Sequence, residues 1–305
     1  MFFLNSNVHV IIAFMYFSMQ LNLINSYSYP GSIKNVLSKM TQCTQKALQN
    51  RCSRMEIELP PGVDFGVKGE MSKKDKKGFT GTDKVLSSNR EAARLFTDMF
   101  SQIQSSTTVL FPTEDAAYEA RNLWSALYRG SVMSIDKPGQ GSKGYGKLRS
   151  RRFSAQEQEQ ALFGDEGIYV PDKTEVLIIP GARSRDWKKL IELEEKLGEA
   201  VCMIFINTRA QLPLIKNKDN AMKDEDRDYF LSTFTPVFHY APPPFFDPDS
   251  KRDLLMYHEY GDKWSIAEKE QDKGFLSAVT GSSFKTIWEG SERPSPEMET
   301  VQKLL

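Results

Sequence analysis

The run "TEVLIIPGARSRDWKKLIELEEKLGEAVCMIFIN" constrains the fold more than any other part of this chain. Two near-continuous apolar runs, "TEVLIIP" (174–180) and "AVCMIFIN" (200–207), flank an amphipathic stretch, "SRDWKKLIELEEKLG" (184–198). A strand apolar on both faces is covered on both faces, as happens in a parallel sheet with helices above and below. Ser184 reads as the helix N-cap and Gly198 as its far end. The unit is therefore a β-α-β crossover, expected right-handed with parallel strands. Further short apolar runs, "TTVLFP" (107–112) and "SVMSI" (131–135), supply more strands of the same sheet.

Helices alternate with these runs. "SSNREAARLFTDMFSQI" (87–103) has Ser88 and Glu91 at capping-box spacing and an apolar stripe through Leu95, Phe96, Met99, Phe100 and Ile103. "TEDAAYEARNLWSALY" (113–128) has Thr113 as N-cap with Glu114 and Asp115 in its first turn, where the helix dipole favours anions. "SAQEQEQALF" (154–163) carries another Ser-x-x-Glu cap. In "RMEIELPPG" (54–62), Met55, Ile57 and Leu59 alternate with charged residues and stop at Pro-Pro-Gly, a strand signature. The last third changes character: "DEDRDYFLSTF" is a helix, then "VFHYAPP", "LLMYHEYG" and "KWSIAEKE" are strands separated by turns, and "RPSPEMETVQKLL" closes with a short helix. The expected fold is α/β, a Rossmann-like three-layer sandwich whose mostly parallel sheet carries an antiparallel C-terminal extension. It forms one domain, 33–305, with loop insertions at 66–84 and 136–152, both rich in Lys and Gly and read as solvated.

The N-terminus reads as a targeting leader. "VHVIIAFMYF" (8–17) is too short to cross a bilayer and fits the apolar core of a secretory signal, with Ser26 and Ser28 as small residues before a cut after Ser28. An uncleaved signal-anchor reaching about Ile24 is the alternative. No Asp or Glu precedes Glu56, and the stretch after Ser28 is rich in Ser, Thr, Lys and Arg, as transit peptides are. The leader over 1–28, extending on one reading to about residue 50, resembles the bipartite plastid type, with Tyr29 where such leaders usually carry Phe. Positions 33–49 also read as an amphipathic helix belonging to the folded domain.

The chemistry is less legible. The chain of 305 residues balances 40 Lys+Arg against 40 Asp+Glu, so it has no overall field to attract nucleic acid. Its three cysteines show no C-x-x-C spacing, and of three histidines one, His9, lies in the leader. Metal centres and Ser-His-Asp catalysis are therefore disfavoured. Gly141, Gly146 and Lys147 have P-loop spacing, but Leu148 stands where the Mg²⁺-binding Ser or Thr belongs and no helix starts at once, so no cofactor is expected. The basic runs "KKDKK" and "KLRSRRF" suit anionic headgroups better than RNA, because no aromatic platform is interleaved with them. "HYAPPPFFDP" (239–248) presents Phe245 and Phe246 in a Pro-rich turn, as a docking edge or a packed lid. The remaining candidate is positional: ligands sit beyond the carboxyl ends of parallel strands. Those ends carry Glu114, Asp115, Arg183, Asn207 and Arg209, where two arginines beside a helix start would clamp an anion. The blander reading pairs the arginines with nearby carboxylates.

"RCSRMEIELPPG", "TTVLFP", "VLIIPGARSRDW" followed by "MIFIN", and the late "DKWSI" and "ERPSPE" resemble a plastid and cyanobacterial domain-of-unknown-function family. It is typified by a chloroplast Low PSII Accumulation protein, a photosystem II assembly factor, and its domain also occurs joined to a chloroplast adenylate kinase. The resemblance covers roughly 33–305. It implies a plastid protein, stromal or thylakoid-associated, that binds photosynthetic membrane subunits or their insertion machinery, with no catalytic residue to carry over. A phosphate- or nucleotide-binding enzyme using the strand-end crevice is the alternative.

Overall fold

The computed structural model describes residues 29–125, 127–136, 168–208, 224–245, 252–269, 284–295 and 297–304. The leader, the glycine-lysine motif around Lys147, the 154–163 segment and Arg209 lie outside these. Nine strands form one sheet in the order β3-β2-β4-β5-β1-β6-β7-β8-β9. Six of them are parallel: β1 (Arg54–Glu58), β2 (Thr107–Phe111), β3 (Ser131–Ser134), β4 (Val176–Pro180), β5 (Cys202–Ile206) and β6 (Thr235–Ala241). The antiparallel extension is β7 (Leu254–Glu259), β8 (Trp264–Lys269) and β9 (Phe284–Gly290). The fold is the mixed α/β sandwich expected.

Helices cover both faces. On the first lie α1 (Ile33–Gln49), α2 (Gly81–Met99) and α3 (Glu114–Trp124). They bury Val36, Met40, Ala93, Phe96, Ala117 and Trp124 against Ile57, Val109, Ile178, Ile204 and Phe238 of the sheet. On the second lie α4 (Trp187–Leu197) and α5 (Asp224–Thr233), where Trp187 stacks on Phe205 at 5.3 Å and Phe230 on Phe234 at 4.8 Å. Each such aromatic buries on the order of 150–250 Å² and anchors its helix. A short α6 (Glu299–Gln302) places Val301 against Leu254 and Ile266. Phe245 packs partly buried on the same cluster, and Phe246 lies outside the described residues. Tyr29 is fixed by its hydroxyl, 2.6 Å from Thr286 Oγ1, and by its ring against Tyr257. No helix among the described residues is long and apolar enough to cross a membrane.

Three local expectations are corrected. Helix α2 starts at Gly81, not 87: Thr80 and Asp83 form its capping box, while Ser88 and Glu91 are fully buried inside it. Ser184 makes no cap with its side chain; a 3₁₀ turn over Ser184–Asp186 precedes α4, and Asp186 Oδ2 accepts from Arg183 N instead. The 66–84 stretch is not a freely solvated loop. Lys76 turns inward to pair with Asp64 at 3.2 Å and with the buried Glu91, and Glu70 accepts from Arg90 at 2.8 Å and from Trp124 Nε1 at 2.5 Å.

Candidate functional site

Connections from adjacent parallel strands leave toward opposite faces at two places. β2 feeds α3 on the first face while β4 feeds α4 on the second, and β1 feeds α2 on the first while β5 leads to α5 on the second. Both are topological switch points, where α/β sheets open a crevice for ligands.

The β2/β4 crevice holds Glu114 and Arg183, and the structure joins them through neighbours on β3. Arg183 grips Asp136 with two bonds, Nη1 to Oδ2 at 2.9 Å and Nη2 to Oδ1 at 2.7 Å, and Asp186 with two more, at 2.7 and 2.8 Å. Burial pushes the guanidinium pKa down, but the hydrogen bonds to Asp136 and Asp186 outweigh it and hold Arg183 above its usual range. Glu114, 3% exposed, accepts from Ser134 Oγ at 2.6 Å and pairs with Arg121. Asp115 occupies the first turn of α3. The arginine that would clamp an anion is thus itself clamped by two carboxylates.

The β5/β1 crevice is stitched shut. Asn207 adopts φ 54° just past β5; its Oδ1 accepts from Leu59 N at 2.7 Å and its Nδ2 donates to Asn89 Oδ1 at 2.8 Å. Gly181, φ 64°, lies against the same asparagine: a Cβ there would stand 2.4 Å from Asn89 Nδ2. Asn89 therefore ties the ends of β1, β4 and β5 to α2. Asn207 acts here as a structural link on the far side of β4 from Glu114 and Arg183.

Another group of ionisable side chains, more deeply buried, lies on the second face over β1, β6 and β7. Glu56 and Glu58 alternate with Met55 and Ile57, yet both are buried, at 2% and 3% exposure. Glu58 pairs in register with His239, and His239 with His258, so one row of the sheet reads carboxylate, imidazole, imidazole. Thr208 Oγ1 donates to Glu58 Oε1 at 3.1 Å. Arg293, from the segment after β9, pairs with Glu56 and lies 4.8 Å over the Trp264 ring. Trp264 in turn stacks on His258 at 4.3 Å and meets His239 edge-on at 5.4 Å. His258 Nε2 donates to Pro236 O at 3.2 Å, whereas His239 Nε2, buried, has no hydrogen-bond partner among the described residues. Burial, reinforced by Arg293, keeps His239 well below the usual imidazole range and pushes His258 down to about 4. Both imidazoles are neutral at physiological pH.

Sequence reasoning missed this cluster. The usable signal was positional: His239 and His258 sit in consecutive strands, and the alternation in "RMEIE" fixes both glutamates on one face. What it lacked was any sign that this face is covered. Among the described residues, no group of three His, Cys, Asp or Glu is arranged to hold a metal.

No curated protein and no solved structure matches this chain. The family described as "Domain of unknown function (DUF1995)" matches residues 30–299, a span that begins beside the anchored Tyr29 and runs to the start of α6. This chain belongs to the DUF1995 family.

Proposed function

We propose that this chain is a non-catalytic plastid protein that assists assembly or accumulation of a photosynthetic membrane complex, most simply photosystem II, by binding protein subunits at the thylakoid. The observation that carries this reading over a phosphate-handling enzyme is the state of Arg183. Its Nε, Nη1 and Nη2 all donate to Asp136 and Asp186. An anionic substrate would have to displace two carboxylates from a partly buried site, against their combined hydrogen bonds and charge. The motif resemblance supports the plastid assignment, as does the apolar 8–17 segment read as a signal; the Ser/Thr/Lys-rich stretch after Ser28 forms α1 of the domain. A tagged copy purified from detergent-solubilised thylakoids is expected to carry photosystem II subunits or their insertion machinery, and cells lacking the chain are expected to accumulate less of that complex. Residence in the secretory pathway, or normal photosystem II levels without the chain, overturns the proposal.

One observation favours a second reading, a small-molecule binder. The row Glu58–His239–His258 buries chemistry that a purely structural sheet would replace with apolar side chains, and buried titratable groups of this kind concentrate at functional sites. A thermal-shift screen tests it. A ligand at a hundredfold its dissociation constant adds about 2.7 kcal/mol of stability. That gain should vanish in His239→Asn, and a metabolite screen without any shift removes this reading.

A further inference from the structure

We infer that the lobe over residues 66–84, with the adjoining ends of α2 and α3, is a docking surface for membranes carrying anionic lipid headgroups. The lobe holds six lysines against three acids in a chain that is neutral overall. Its fold sorts them. Backbone bonds from Asp75 N and Lys76 N to Ser72 O wind residues 72–77 into a turn. That turn sends Lys76 inward to Glu91 and leaves Lys73, Lys74 and Lys77 exposed, with Lys68 and Lys84 exposed on either side. Two of the acids are tied into local caps, Asp75 by Ser72 Oγ and Asp83 by Thr80 Oγ1, each at 2.7 Å. The third, Glu70, is buried on Arg90.

The second observation is apolar. Leu86, Tyr118 and Leu127 are the large hydrophobic side chains exposed among the described residues, at 41–42%, and Leu86 and Leu127 border this lobe. Leu127 lies against Gly69, where a Cβ would meet its Cδ1 at 2.5 Å. Leu86 stands one helical turn before Arg90, which bonds Glu70 of the lobe. Exposed lysines beside isolated apolar tips suit a bilayer interface, where the tips enter the acyl boundary and the ammonium groups stay with the phosphates. A protein partner would instead need a contiguous complementary face of about 800 Å². The inference goes beyond the assembly reading, which stands or falls on protein partners.

The test is sedimentation of the full chain with phosphatidylcholine vesicles with and without phosphatidylglycerol. Each lysine held at an anionic surface strengthens binding about fivefold, so Lys73→Glu/Lys74→Glu/Lys77→Glu should bind the anionic vesicles at least about 100-fold more weakly than wild type. Lys188→Glu/Lys189→Glu, reversing exposed lysines on the opposite face, carries the same leader and should bind as wild type. Raising salt should weaken wild type toward the triple variant, and Leu86→Ser/Leu127→Ser should lower the remaining salt-resistant binding. Equal binding by wild type and the triple variant, or equal loss in the opposite-face control, overturns the inference. So does vesicle binding indifferent to lipid charge. These vesicles contain no photosynthetic protein, so failure here leaves the assembly role untouched.

Discussion

The buried imidazole of His258 makes the fold acid-labile by an amount that can be worked out. Burial is the main cause of its depressed pKa of about 4, with Arg293 adding to it and the Pro236 and Lys263 carbonyls and Glu259 opposing it. The other groups facing it are His239, in register on β6, and Trp264, stacked on its ring. In the unfolded chain the same imidazole titrates near about 6.5. The folded protein then binds fewer protons than the unfolded chain wherever the pH is below that value, so stability falls as pH falls through it and levels off below the folded pKa. At about 1.36 kcal/mol per pH unit between the two values, the full loss is about 3.4 kcal/mol, and about 2 kcal/mol of it is gone between about pH 7.5 and about pH 5. His258→Phe keeps an aromatic ring over Trp264 and removes the titration. Urea unfolding of both proteins at the two pH values isolates the term, because carboxylates and His239 contribute to both. Wild type should lose about 2 kcal/mol more than the variant. Parallel losses, within about 0.5 kcal/mol, would refute a buried neutral imidazole at this position.

Other expectations follow from the same structure. Arg183→Ala leaves Asp136 and Asp186 without their shared cation and should cost about 1–3 kcal/mol in urea unfolding, less than a fully buried pair because the site is partly exposed, while leaving phosphate affinity as weak as in wild type. Arg293→Ala strands the buried Glu56 and should cost about 3–5 kcal/mol, read in the same assay. Gly181→Ala combines a positive φ with a Cβ clash on Asn89 and should lower stability by more than about 1 kcal/mol. Lys76→Met removes the cation between Asp64 and Glu91, so limited proteolysis should cut the 66–84 lobe first, ahead of the sheet.

The parallel half of this fold was legible because its signal is local. All five residues of β4 are buried, so the strand reads as an unbroken apolar run, and Thr113 caps α3 within its own four-residue window. Two Ser/Thr-x-x-acid boxes compete for the start of α2, and nothing local ranks them. The upstream one caps the helix because Glu91 of the downstream one is consumed by Lys76 and by the Phe65 N–H at 2.8 Å. The strand β9 carries little alternation, being an edge strand half open to solvent. The buried acids of β1 were illegible for a different reason. A strand that alternates apolar and charged residues looks the same whether its charged face meets water or meets partners from far along the chain. Here the partner of Glu56 is Arg293, 237 positions away.

That distance bears on where function resides. An α/β sheet usually places polar chemistry at its strand ends and fills its faces with apolar side chains. This chain fills most of both faces in that way but departs from it over β1, β6 and β7. At the strand ends, Arg183 is neutralised by two aspartates and Asn207 laces β5 to β1 and α2. Over β1, β6 and β7, on the second face, it buries two glutamates and two histidines and sets a partly exposed arginine on one of the glutamates. Replacing such a network with matched apolar groups often costs nothing in stability, so stability alone does not account for it. Breaking it by halves is expensive, which makes Arg293 the lock by which the segment after β9 is held on the sheet. The strand-end crevice that the fold class points to is therefore the less promising place to look for binding in this protein. A substitution there should report on stability, whereas a fold-preserving change at His239 or on the lysine lobe should report on what the protein binds.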